Sequence, residues 1–94
     1  MKKVHYTSHL KLRIRLRNIP QYLPKRIYQE SRERYYDRET SHYIAIKEVE
    51  FKGKVRDMAI TYTETSERIE IITVHPLRTY QKHQRIKIGR WKRL

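Results

Sequence analysis

The 94-residue sequence predicts a single α+β domain in which an N-terminal helical hairpin packs on an antiparallel four-stranded meander, followed by a basic C-terminal helix. Three observations predict this architecture. A hydroxyl side chain that can cap a helix precedes the first apolar run. Pro20 and Pro24 then bracket a turn, and from Arg34 onward the apolar residues adopt the alternating period of strands joined by short turns. A chain of this length supports one domain, residues 1–94.

The first helix is expected to begin after Thr7 or Ser8 and to end near Asn18, because Ile19-Pro20 disfavours further helix. Residues 2–6 can form a short strand before it. The apolar and basic residues of this segment also alternate, which by period alone is typical of a half-buried strand. The cap and the unbranched Leu, Lys and Arg content favour the helix. On a helix the apolar residues form two faces that both need cover: Leu12, Leu16 and Ile19 on one, Leu10 and Ile14 on the other.

Proline, glycine and the alternation of apolar with polar residues predict the remaining helices and strands. Pro24 can be the first residue of a second short helix, Lys25 to about Glu30. Strands are predicted at 34–38, 42–51, 55–63 and 69–75, with turns at Lys52-Gly53 and Thr65-Ser66-Glu67. A last helix is predicted from Thr79 to Ile88, ended by Gly89, with residues 90–94 as a tail. Residues 86–88 would also suit a strand.

The charge lies at the two ends of the sequence. The net charge is +13, and all ten carboxylates fall between residues 30 and 70. Residues 1–29 carry eight Lys or Arg and residues 71–94 carry seven, with no acid in either segment. We expect the two ends to be neighbours in the fold and to form a basic patch that attracts a polyanion, either nucleic acid or an acidic protein.

Several function classes are excluded by composition. Cysteine is absent, which removes disulfides, thiolate metal sites and a cysteine nucleophile, and favours a cytoplasmic location. No apolar stretch approaches the length of a membrane span or a signal peptide, so neither membrane insertion nor export is expected. His5 and His9 lack a nearby carboxylate to complete a metal site, and two glycines cannot form a phosphate-binding glycine loop. We expect no metal and no small-molecule cofactor.

The order of elements and several short motifs resemble the RelE/ParE superfamily of toxins from prokaryotic toxin–antitoxin pairs. Within it, the chain is similar to a small family with a His-x3-Arg-x3-Arg helix and a Thr-x-His-Pro strand end. The resemblance implies a RelE-like fold, an acidic antitoxin protein as partner, and messenger RNA, free or on the ribosome, or gyrase as target. The segments that carry it are Ser8-His9, Arg13, Arg17, Asn18-Ile19-Pro20, Tyr35-Tyr36-Asp37, Lys52-Gly53-Lys54-Val55-Arg56, Ile72-Thr73-Val74-His75-Pro76 and Gly89-Arg90-Trp91.

A row of basic side chains on the first helix is one candidate site. His9, Arg13 and Arg17 are spaced by four, so on a helix they are neighbours on one face. Guanidinium groups bind phosphate oxygens bidentately, and a neutral imidazole can accept a proton. The alternative is that Arg13 and Arg17 form a solvated face and that His9 caps or packs the helix start.

A second candidate is His75, at the end of a strand where loops build sites. If the first helix packs beside that strand, His9 and His75 form an acid–base pair with arginines nearby. Such a pair can cleave RNA without metal, because the ribose 2′-hydroxyl is itself the nucleophile. The alternative for His75 is a hydrogen bond to backbone.

Three further basic positions follow from the resemblance, and one aromatic residue is a candidate through its own chemistry. Arg56, Arg85 and Arg90 correspond in location to RNA-facing residues of the toxins, with Arg56 placed beside the two histidines as a catalytic candidate. Trp91 in the basic tail can stack on a base, although a tryptophan there also suits a core. Three functions remain open: a metal-independent messenger endoribonuclease toxin, a non-catalytic nucleic-acid-binding module, and a toxin that inhibits gyrase.

Overall fold

The computed structural model describes residues 2–94, which form three helices and six strands. The strands make one mixed sheet in the order β1-β5-β4-β3-β2-β6. Along the chain the elements are β1 (Lys3–Tyr6), α1 (Ser8–Leu16), α2 (Leu23–Glu30), β2 (Glu33–Asp37), β3 (His42–Phe51), β4 (Lys54–Glu64), β5 (Arg68–Pro76), α3 (Thr79–Lys87) and β6 (Trp91–Arg93).

The predicted four-stranded antiparallel meander is wrong, because the sheet has six strands and is mixed. Strands β2 to β5 are consecutive antiparallel neighbours, but β1 pairs parallel with β5 at one edge and β6 pairs antiparallel with β2 at the other. Both added strands satisfy backbone groups that would otherwise be left open at an edge. They also bury apolar side chains, since Val4 and Tyr6 of β1 pack against the core and Trp91 of β6 is buried.

Local signals explain where the elements begin and end. The Thr7 hydroxyl caps α1 by accepting a hydrogen bond of 3.2 Å from the amide of Leu10. Lys52 and Gly53 join β3 to β4 with positive φ angles of 53° and 77°, as the two central residues of a tight type I′ hairpin require. Gly89 follows α3 with a φ of 79°, a conformation that suits glycine and ends the helix.

The main core lies between one sheet face and the two N-terminal helices. Leu10 and Ile14 of α1 and Leu23 and Ile27 of α2 are buried there. On the sheet they pack against apolar residues of β3, β4 and β5: Ala45, Val49, Phe51, Met58, Ile60, Tyr62, Ile69, Ile71 and Val74. Burial of apolar surface stabilises a fold by roughly 25 cal/mol per Å², and this layer is the larger of the two cores.

The expectation that both apolar faces of α1 are covered is wrong. Leu12 and Leu16 are 50% and 73% exposed, whereas Leu10 and Ile14 are buried. The reason is that α1 packs on the sheet through one face only, beside β5. The expected proximity of the two basic ends is confirmed, because the amide of Thr7 donates a hydrogen bond of 3.2 Å to the carbonyl of Ile71.

The second sheet face carries a smaller core, built from residues of β2, β3, β4, β6 and the β5–α3 connection. Its buried residues are Tyr35, Ile44, Ile46, Ala59, Leu77 and Trp91. Tyr35 stacks on Trp91 with ring centroids 5.4 Å apart. This smaller core does not extend over the whole face, and the uncovered part carries Thr61, Thr73 and His75. Within residues 2–94, none of the helices has the length and apolar character needed to cross a membrane.

Candidate nucleic-acid interface

A cavity of about 670 Å³ opens where the end of α1, the start of β4 and the β5–α3 connection meet. We call it the cationic cleft. It is lined by His75, Tyr80 and five basic side chains: Arg17, Lys54, Arg56, Arg78 and Arg85. In the part of the chain that the structure describes, no carboxylate lines it. The cleft therefore presents a concentrated positive charge to an anion.

The five basic side chains of the cationic cleft are free of salt bridges within the described part of the chain, residues 2–94. Other basic side chains are paired with carboxylates. Lys82 Nζ lies 2.8 Å from Glu33 Oε2, and Arg90 Nη2 lies 3.0 Å from Asp37 Oδ2. Like charges gathered without counter-ions destabilise a fold by mutual repulsion. An external anion would relieve that repulsion.

His75 lies at the end of β5, opposite Ala59 of β4, and its side chain is half-buried. Burial holds the pKa of His75 below its ordinary value of 6.5, and the positive charges of Arg85, Arg17 and Arg13 lower the pKa further. The imidazole is therefore neutral at pH 7 and can accept a proton. A phosphate bound by those arginines would partly cancel their effect.

The structure brings together only part of the predicted histidine–arginine row. Arg17 lines the cationic cleft with His75, Arg56 and Arg85, whereas His9 is exposed and lies outside it. Helix α1 begins beside Ile71 and runs along β5 toward His75, so Arg17 at its end reaches the cleft. His9 is eight residues before Arg17, which on a helix places it roughly 12 Å back along the axis.

A second cavity of about 300 Å³ adjoins the cationic cleft on the α3 side of the sheet. His75 and Arg85 line both cavities, and Arg13 lines the second. The second cavity also contacts Arg90 and Trp91, so every predicted site residue except His9 lines one of the two. The two cavities form one continuous basic surface around His75.

Arg90 and Trp91 are held in a network around the buried Asp37. Arg90 Nε and Nη2 donate hydrogen bonds of 3.1 and 3.0 Å to the Asp37 carboxylate, and Trp91 Nε1 donates one of 3.3 Å. The amides of Glu39 and Thr40 donate two more. Although burial opposes ionisation, these hydrogen bonds and the Arg90 charge lower the pKa of Asp37 to about 2. Trp91 is 3% exposed, which leaves little of the indole to stack on a base.

Sequence reasoning missed Lys54 and Arg78 as cleft residues and did not assign Tyr80 a role. Lys54 and Arg56 are two apart on β4 and therefore share a sheet face, a signal that the strand period contained. Arg78 and Tyr80 flank the start of α3, and their approach to Arg17 depends on how α1 packs. No local pattern encodes that approach.

Within residues 2–94, no three His, Asp or Glu side chains are grouped so that they could hold a metal ion. Comparison of the chain with protein-family models, with curated proteins and with solved structures gives no match in any of the three. The geometry and charge of the two cavities are therefore the features of the molecule that bear on its function.

Proposed function

We propose that the protein is a metal-independent endoribonuclease, the toxin of a type II toxin–antitoxin pair, which binds RNA in the cationic cleft. The observation that carries this proposal is a half-buried His75, with a pKa below its ordinary value, in a cleft that among residues 2–94 is lined by five cations without salt bridges and by no carboxylate. Hard cations such as Mg²⁺ need oxygen ligands. A cleft with this lining suits phosphate without metal.

Phosphate binding follows from the side-chain types in the cleft. Arg17, Arg56 and Arg85 carry planar guanidinium groups that donate paired hydrogen bonds to phosphate oxygens and stay charged at every physiological pH. Arg13 adds its charge from the adjoining cavity. These groups also stabilise the additional negative charge of a phosphorane transition state, which is a large contribution in a site partly shielded from water.

In the proposed reaction the His75 imidazole removes the proton of a ribose 2′-hydroxyl. The 2′-oxygen then attacks the adjacent phosphorus, and the bond from phosphorus to the 5′-oxygen of the next nucleotide breaks. The 5′-oxygen takes up a proton, which leaves a 2′,3′-cyclic phosphate and a 5′-hydroxyl. A neutral imidazole is the form that this first step needs.

The second proton-transfer group is proposed to be Tyr80 in place of His9. The Tyr80 side chain is 60% exposed and lines the cationic cleft together with His75. A phenol can donate its proton to a leaving oxygen when cations nearby stabilise the phenolate. His9 lies outside the cleft, so we assign it no part in the reaction.

Membership of the RelE/ParE superfamily and an acidic antitoxin partner are parts of the same proposal. The excess of 23 Lys and Arg over 10 Asp and Glu supports an acidic partner that covers the cationic cleft until the toxin acts. A toxin directed at messenger RNA would act in the cytoplasm. Induced expression should then arrest growth, and co-expression of the antitoxin should restore it.

The decisive experiment uses two histidine variants of the purified protein. A 5′-labelled single-stranded RNA is incubated with wild type, His75→Ala and His9→Ala in the presence of EDTA, and products are analysed for 2′,3′-cyclic phosphate ends. His75→Ala should lower the cleavage rate by about 10²- to 10⁴-fold. His9→Ala, the matched control outside the cleft, should cleave like wild type.

A non-catalytic nucleic-acid-binding protein is the second candidate. It is favoured by the fact that one imidazole, rather than the expected pair, lines the cleft. In that case wild type binds RNA with a steep salt dependence but leaves it intact, with or without ribosomes. Intact RNA under conditions where the protein is bound would remove the enzyme and leave the binding protein.

A further inference from the structure

The second cavity, next to the cationic cleft, has a chemical character of its own. We call it the threonine groove. Its volume is about 300 Å³, at the lower end of the range of ligand pockets. Its polar groups include Thr61 and Thr73, and its apolar ones include Ile44 and Ile72. It therefore combines apolar surface with a few fixed polar groups, as sites for flat heterocycles do.

The two threonine hydroxyls hydrogen-bond to each other and retain unused hydrogen-bonding capacity. Thr61 Oγ1 lies 2.7 Å from Thr73 Oγ1, and either can be the donor. Each hydroxyl has one donor hydrogen and two acceptor lone pairs, so after one mutual bond the pair retains one donor and several lone pairs. The pair can therefore bind either a donor or an acceptor on a ligand edge.

An irregularity in β5 shapes the groove. Tyr62 pairs with Ile71 and Thr61 pairs with Thr73, so Ile72 has no partner in β4. This bulge lets Ile72 and Thr73, although adjacent in sequence, both line the groove. Bulges are frequent next to active sites because they redirect side chains.

The charge of the groove favours an anionic ligand. Arg13 and Arg85 line it without a salt bridge among residues 2–94, whereas the Asp37 carboxylate is already bound by Arg90 and Trp91. His75 and Arg85 line both the groove and the cationic cleft. A polyanion that occupies the cleft can therefore continue past His75 into the groove.

From these observations, and resting on the proposed function, we infer that the threonine groove binds one nucleobase of a single-stranded nucleic acid, next to the phosphate held at His75. The apolar residues contact the faces of the base, and the Thr61–Thr73 pair hydrogen-bonds to its edge. A base inside a duplex is stacked on both sides and cannot enter, so the substrate class is single-stranded RNA.

The test measures the binding of short oligonucleotides that cannot be cleaved. The probes are fluorescent 2′-O-methyl tetranucleotides of A, C, G or U, plus an abasic tetranucleotide with the same phosphates. Wild type should prefer one or two bases and should bind the abasic probe about 5- to 10-fold more weakly than the preferred one, in line with the loss of about one hydrogen bond.

The variants separate the groove from the cleft. Thr61→Val and Thr73→Val together remove both hydroxyls while preserving the branched shape, and should reduce the preference among the four bases to less than about twofold. Thr63→Val is the matched control, since Thr63 lies on the same strand as Thr61 but outside the groove. It should keep the wild-type preference.

Each outcome decides the inference. If wild type binds the abasic and base-containing probes equally, the groove does not hold a base. This comparison uses wild type alone, so it decides the question even if the double valine variant does not fold. Equal base preferences in wild type and the double variant would also overturn it, because the two hydroxyls would then play no part in base recognition. Oligonucleotide binding with no base effect leaves the proposed cleavage at His75 intact, whereas no binding of any probe by wild type overturns both proposals.

Discussion

Arg85 and Arg90 are five residues apart, yet they lie in opposite electrostatic environments. Arg90 binds the buried Asp37 carboxylate through Nε and Nη2, and this network fixes β6 to the sheet. Arg85 stacks 5.1 Å from the centre of the Trp91 ring and extends into the cationic cleft, where no carboxylate meets it. Charges in the Asp37 network are paired and contribute to stability. Charges in the cleft form no salt bridge with any described residue and remain available to a ligand.

The largest effect on stability is expected from Asp37→Ala. The change leaves the Arg90 guanidinium, the Trp91 indole N–H and two backbone amides without their acceptor. Removing one partner of a buried charge pair lowers the free energy of unfolding by about 3–5 kcal/mol. Urea unfolding followed by circular dichroism measures it. Glu39→Ala is the control, because Glu39 is 68% exposed beside the same Arg90 and should change stability by less than about 0.5 kcal/mol.

Acid should weaken the same network. The pKa of Asp37 is lowered from 3.8 to about 2, so the folded protein binds this proton less readily than the unfolded chain does. The resulting stabilisation, about 2 kcal/mol, is complete above the unfolded pKa and is lost as pH falls through the folded pKa. Unfolding free energies of wild type and Asp37→Asn at pH 6 and pH 2.5 test it. Parallel pH profiles for the two proteins would contradict the assignment.

In the cleft, Arg17→Ala should weaken RNA binding by about tenfold without lowering stability, since it removes one of several like charges. It should also reduce the slope of log affinity against log salt by about 0.7, the value for one phosphate contact on a single strand. Arg15→Ala is the matched control, since Arg15 is on the same helix but outside both cavities. Fluorescence anisotropy at several salt concentrations measures both quantities. Equal losses in the two variants would show that net charge, and not position, determines affinity.

The smallest expected effect concerns His75 and stability near neutral pH. The folded pKa of His75 lies below 6.5, so the unfolded chain takes up this proton at a higher pH than the folded protein does. The contribution of neutral His75 to stability is therefore fully present above pH 6.5 and is lost as the pH falls from 6.5 toward the folded pKa. His75→Gln should lose less stability than wild type between pH 7.5 and 5.5. Identical losses in urea unfolding would show that His75 titrates normally.

The elements were predictable where their signals are local. The Thr7 cap, the Lys52-Gly53 turn and Gly89 placed α1, the β3–β4 hairpin and the end of α3 close to where they lie. The sheet order was not predictable, because the pairing of β1 with β5 joins Tyr6 to Ile71, far apart in sequence. The three residues of β6 are too few for any period to identify a strand.

The candidate site shows the same division. The predicted helix holds His9 and Arg13, with Arg17 at its C-cap, but only the packing of α1 along β5 determines which of the three reaches His75. Trp91 illustrates a different difficulty. An indole that stacks on a base and one that fills a core have the same chemistry, and the buried partner, Asp37, is more than fifty residues away in sequence.

The sheet order also determines when the cleft can exist during synthesis or refolding. The cationic cleft needs Arg17 from α1, Arg56 from β4 and Arg85 from α3, so it spans most of the chain. The hairpins that join β2, β3, β4 and β5 in turn are local in sequence and can form early. Docking of α1 beside β5 closes a long loop and is slow by comparison. A partly made chain therefore has the sheet's central hairpins before it has a cleft, and the RNA binding that we propose for the cleft should emerge only once α3 is in place.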